Sequence, residues 1–170
     1  MSLLRPFLAA LLATTLAGCT GYRLGSTLAR DIHTVHIPAF GNKTTEPFLE
    51  TEATRAVRQE IQKDGSLSLV DDPNTADSIL EVEILSYDLS PLSYEKDNRT
   101  RANEYRINLV ASVILRKASD RSILVNLPSV RGDTTFSYAG DLVTARRQAL
   151  PTAAADLARD IVEGITEAWQ

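Results

Sequence analysis

Between Tyr105 and Leu115 the chain alternates without a break: Tyr105, Ile107, Leu109, Ala111, Val113 and Leu115 recur at every second position, with Arg106, Asn108 and Ser112 between them. Successive side chains of an extended chain point to opposite sides, so this segment dictates a strand with one strongly apolar face. Val110 and Ile114 fall on the other face, which is expected to be partly covered too. An apolar sheet face must be buried against another layer, and helical periodicity at both ends of the chain supplies one. Leu49, Ala53, Val57 and Ile61 recur every four residues and make one stripe of a helix, with Arg55, Arg58, Gln59 and Gln62 largely off it. Pro47 suits that helix's first turn, Thr45 or Glu46 can cap it, and Gly65 is a natural stop. From Thr144 the helical period returns: Leu150, Ala154, Leu157, Ala158, Ile161, Val162, Ile165 and Trp169 form a wide apolar face, and Pro151 either starts or kinks this helix.

Further strands lie between the helices and before them. Thr34 to Pro38 and Leu67 to Val70 read as short strands, and Asp71-Asp72-Pro73-Asn74 as a turn. Leu80, Val82 and Ile84 alternate with Glu81 and Glu83; the alternation then shifts to Leu85, Tyr87 and Leu89, which predicts a bulge near Ile84. Pro91 loosens the end of that strand, and Glu95 to Ala102 is a charged loop. Ile123 to Leu127 begins a returning strand, which Pro128 marks as irregular or at a sheet edge and Phe136 and Tyr138 close. Short connections favour antiparallel neighbours. The expected fold is therefore α+β: a two-layer sandwich with two helices packed on one face of a mainly antiparallel four-stranded sheet. The Tyr105-to-Leu115 strand is expected at its centre, packing on Leu157, Ile161 and Ile165.

The first nineteen residues follow a different logic. Arg5 gives a positive start, Phe7 to Leu16 is apolar but too short to span a bilayer, and Leu16-Ala17-Gly18-Cys19 is a small-residue cleavage site ending in cysteine. That is a lipobox. Residues 1–18 are expected to be a lipoprotein signal peptide, and residues 19–170 a single periplasmic domain tethered by acyl chains on Cys19. Cys19 is the chain's one cysteine, which excludes an intramolecular disulfide or a thiolate metal site. Several acyl chains on one residue hold a protein stably, whereas a single chain binds only marginally.

The net charge of the 170 residues is −4, and the leader's only charged residue is basic, so the remainder is more acidic still. Such a balance opposes non-specific nucleic-acid binding and a purely electrostatic hold on anionic lipid. Catalytic patterns are scarce. His33 and His36 are three apart on an extended segment and point to opposite faces, a poor chelate, so no metal is expected. There is no G-x-S-x-G elbow, Walker loop or G-x-G-x-x-G. The reading is a non-enzyme without cofactors. Glu81 and Glu83 share a strand face, either solvated or set against a partner.

Several segments in order resemble the LptE family of lipopolysaccharide-assembly lipoproteins. Cys19-Thr20-Gly21-Tyr22-Arg23-Leu24 resembles the family's start. Val35-His36-Ile37-Pro38-Ala39-Phe40-Gly41-Asn42-Lys43-Thr44-Thr45-Glu46-Pro47 is similar to its first strand and helix start. Ala76 to Ile84 and Glu104 to Ile107 resemble its long strands, and Ala153 to Trp169 its closing helix. The resemblance implies two helices on a four-stranded sheet. It implies a plug inside the LptD-type outer-membrane barrel, aiding that barrel's assembly and lipopolysaccharide delivery to the outer leaflet. Thr20, where an inner-membrane retention signal has aspartate, implies the outer membrane, periplasmic side. Lys96, Arg99 and Arg101 stand in a loop that resembles the family's basic lipid A-binding region, although Glu95 and Asp97 are interleaved. A structural or adaptor lipoprotein of another cell-envelope complex is the alternative.

Overall fold

A computed structural model describes residues 32–94, 102–138 and 140–167. Among the described residues the elements run β1 (Thr34–His36), β2 (Gly41–Asn42), α1 (Leu49–Asp64), β3 (Ser68–Leu69), β4 (Ser78–Tyr94), β5 (Ala102–Lys117), β6 (Ile123–Ser137) and α2 (Leu142–Glu167). Both helices lie on one side of one sheet, so the expected α+β sandwich is the fold. In detail the sheet is larger and mixed. Its order is β3-β1-β4-β5-β6, with β2 also paired to β4. β4–β5 and β5–β6 are antiparallel, but β1 pairs with β3 and β4, and β2 with β4, in parallel. The reason is α1: a helix between two strands returns the chain to the same end of the sheet, so β1 and β3 run the same way. β3 falls within the expected Leu67-to-Val70 strand, whereas the two residues of β2 carry too little alternation to be counted in advance.

The long strand expected at the centre stands one place off it: β4 is the middle of the five-strand path, and β5 lies between β4 and β6. Its inward residues Ile107, Leu109, Ala111, Val113 and Leu115 are nonetheless fully buried. The bulge also falls near its expected place. Pairing with β5 shifts between Ile84 and Ser86, leaving Leu85 over. Leu85 is therefore turned out, 38% exposed, while Tyr87 and Leu89 return to the helix side and pack on the core.

The α1 stripe is buried as its spacing requires, and Gly65 ends the helix in the left-handed region, its N–H donating to the Ile61 carbonyl. The start differs from the expectation. Neither Thr45 nor Glu46 caps α1; Phe48 is the cap residue, with φ 64° and no side-chain cap bond. α2 is capped by Asp141, whose carboxylate accepts from the Val143 and Thr144 amides. Pro151 lies inside α2 rather than at its start. Trp169 lies outside the described residues. α2 crosses β6 closely enough that glycine is required. A Cβ on Gly132 would sit 2.5 Å from Leu157 Cα, so the strand can carry nothing larger there.

Candidate functional site

With both helices on one side, no other described element covers the second side of the sheet, and its chemistry is set by the residues that alternate outward. Glu81 lies opposite Ile114 and Glu83 opposite Ser112, so the two acids expected to share a face do share this one. Each has a cation: Arg116 Nε donates to Glu81 at 2.9 Å, with Arg121 4.0 Å away, and Lys43 Nζ donates to Glu83 at 2.7 Å. Farther along, Arg106 pairs with Asp133 at 3.5 Å. Val110 and Ile114 are half-buried between these groups. Exposed ion pairs add little stability. Their effect is to make this face polar and nearly self-neutralised.

The first described strand is pinned to the sheet by a reciprocal polar lock. Asp77 Oδ2 accepts from the His33 and Thr34 amides and the Thr34 hydroxyl, and that hydroxyl oxygen accepts from the Asp77 amide at 2.8 Å. The hydrogen bond from the His33 amide leads in holding the Asp77 carboxyl below the usual carboxylate range, with the Thr34 hydroxyl next. Ser78, a fully buried polar residue, donates to the Thr34 carbonyl. The lock fixes the point where the chain emerges from residues 1–31.

A second polar joint ties α1's start to α2. Arg146 meets Glu46 at 3.4 Å, with side chains only 32% and 13% exposed. Tyr87 reaches toward them from β4. Its hydroxyl oxygen is closed off from solvent without a well-formed hydrogen bond. Burial pushes its phenol up to about 12; the Glu46 carboxylate adds to this and Arg146 opposes it. Beside the joint, Glu46, Phe48, Val143, Arg147, Leu150 and Pro151 help line a cleft of about 420 Å³. The sequence did not single out Phe48 or Val143, because each reads as part of an ordinary helical pattern.

The residues chosen in advance for binding fall elsewhere. Cys19, Lys96, Arg99 and Arg101 lie outside the described residues. The strands that flank the basic loop are paired across Tyr94 and Ala102, and the Ser93 hydroxyl donates to Asn103 Oδ1 at 2.6 Å. His33 is exposed, and His36 Nδ1 stands 3.2 Å from the Val70 carbonyl. Among the described residues no group of three or more His, Cys, Asp or Glu is placed to hold a metal ion. Asp72 accepts from the Asn74 amide, as in a turn, and Asp71 pairs with Arg58 of α1.

Among the described residues the architecture is that of a one-sided α+β sandwich with a polar second face and a cleft at its helix joint. The sequence pattern of the LptE family, described as lipopolysaccharide-assembly, matches residues 32–165. The chain belongs to the LptE family. Solved structures share the fold. One, a protein of Caulobacter crescentus CB15, is 12% identical with a TM-score of 0.55, over 79% of this chain and 89% of that one. The rare lipoprotein B of Shewanella oneidensis is 13% identical with a TM-score of 0.51, over 80% and 96%. The PelC dodecamer of Paraburkholderia phytofirmans is 14% identical with a TM-score of 0.53, over 84% and 92%. At these identities the likeness extends to the fold alone. Among curated protein sequences none matches the chain.

Proposed function

We propose that this protein is a lipid-anchored outer-membrane component of lipopolysaccharide assembly that plugs a barrel of the LptD type, aiding its folding and the delivery of lipopolysaccharide to the outer leaflet. The observation that carries the reading is the open sheet face. A two-layer domain leaves the second face of its sheet to solvent or to a partner; here that face carries paired charges around Val110 and Ile114. Barrel lumens are polar and wet, and a plug there needs a surface that hydrogen-bonds rather than one greasy patch. Membership of the family supports the assembly role. Acyl chains on Cys19 would hold the domain at the periplasmic rim, and the Asp77–Thr34 lock would transmit that tether into the sheet. Lys96, Arg99 and Arg101 would meet the lipid A phosphates, which Arg can bind through two parallel hydrogen bonds and Lys as a point charge.

The test is purification of the full lipidated chain from detergent-solubilised outer membrane, paired with its depletion. Co-purification of the host's LptD-type barrel, and loss of folded barrel on depletion, are expected. Normal barrel levels and normal surface lipopolysaccharide after depletion would refute the role.

A further inference from the structure

The cleft between α1's start and α2 has features that the fold itself does not use. Phe48 stands in the left-handed region, where bulky L-residues are rarely found, and it makes no side-chain cap. Strain of that kind is ordinarily offset by packing. Phe48 is 72% exposed, so packing among the described residues does not offset it. Across the cleft Val143 is also turned out, 54% exposed, on the first turn of α2. Leu150, buried, and Pro151 belong to the same lining. The Glu46–Arg146 joint links both sides, so the cleft is already formed before anything enters it.

Its polar groups are asymmetric. Arg146 is taken by Glu46, but Arg147 is exposed and forms no close ion pair among the described residues; the Asp141 carboxylate feels its charge only weakly, as the last of the causes that lower it. The lining thus offers an apolar floor and one guanidinium, that of Arg147, outside its own ion pairs. The acids of the lining are already matched, Glu46 by Arg146 and Glu52 by Arg55, so the charge left to meet is the single one of Arg147. A single carboxylate next to an apolar side chain complements both features.

We propose that this cleft is a docking socket for a segment of the LptD-type barrel, one that carries an apolar side chain beside an Asp or Glu. The inference rests on the barrel partnership proposed above and goes further by assigning the contact. Phe48 and Val143 clasp the apolar side chain, and Arg147 pairs with the acid.

The test uses the full lipidated chain co-expressed with its host's barrel. A photo-crosslinking benzoylphenylalanine replaces Phe48 or Val143, and Arg147→Glu, Arg147→Lys and Val143→Asp are made separately. Both crosslinkers should join the barrel, at a peptide containing an acid next to an apolar residue. Arg147→Glu and Val143→Asp should lower co-purified barrel at least tenfold at unchanged melting temperature, while Arg147→Lys retains most of it. A Lys at the mapped acid should restore binding to Arg147→Glu. If wild type co-purifies with the barrel but neither position crosslinks to it and both charge variants bind fully, the socket is refuted while the partnership stands. Crosslinks to lipopolysaccharide or to a second copy of the chain would refute it as well. If wild type itself brings down no barrel, the partnership fails and the socket with it.

Discussion

Gly132→Ala tests the packing of α2 on β6 directly. The added methyl would lie 2.5 Å from both Leu157 Cα and Leu157 Cβ, about 1 Å inside ordinary contact distance. Backbone on both sides defines that gap, so no side-chain rotation relieves it; α2 must lift or β6 must bend. Overpacking costs about 1–3 kcal/mol where side chains can give way, and this site should reach the upper end, about 3 kcal/mol. Gly164→Ala is the matched contrast. There the methyl meets Leu127 Cδ1 at 2.7 Å, the far end of a flexible side chain. Rotating that side chain costs roughly 0.5–1.5 kcal/mol, while alanine favours a helix interior over glycine by about 1 kcal/mol. The net change should stay within about 1 kcal/mol of zero. Urea melts of the domain lacking residues 1–19 measure both. A cost under about 1 kcal/mol for Gly132→Ala, or a larger cost for Gly164→Ala, would refute this account of the interface.

Leu109→Ala should cost roughly 2–5 kcal/mol, since Leu109 is fully buried; a loss well under 1 kcal/mol in the same melt would contradict its place in the core. Asp77 has a folded pKa below its unfolded one, so its contribution is present above the ordinary carboxylate pKa and is lost as pH falls through the lowered folded value. Asp77→Asn should therefore flatten the acid limb of a stability profile below about pH 4 and leave a residual slope from Asp120 and Asp141, which are lowered in the same way. Cys19→Ala should abolish acyl-chain labelling and release the protein from the membrane fraction; a free thiol in the intact mass of the wild-type mature chain would refute lipidation. Replacing Lys96, Arg99 and Arg101 together by Ala should weaken lipopolysaccharide binding by the domain lacking Cys19, and wild-type binding should fall with salt. Unchanged affinity at unchanged melting temperature would remove that site.

What the sequence determined was local and periodic. The four-residue spacing of Leu49, Ala53, Val57 and Ile61 and the two-residue spacing of Ile107 to Leu115 specified their elements and buried faces, because side-chain direction follows from backbone geometry alone. The slip in alternation after Ile84 located the bulge for the same reason, and Pro128, which cannot complete a ladder, marked the edge strand. Tertiary structure decided what depends on distant partners. Strands of two or three residues acquire direction only from the neighbours they pair with, so the parallel β1, β2 and β3 were not legible, and neither was the place of β4 at the centre. The need for glycine at 132 arises only where α2 crosses β6. The cleft joins residues almost a hundred positions apart: the same apolar, helix-compatible character that places Phe48 and Val143 inside a pattern gives no sign that folding turns both outward, since exposure is a property of the assembled layers and not of the residue.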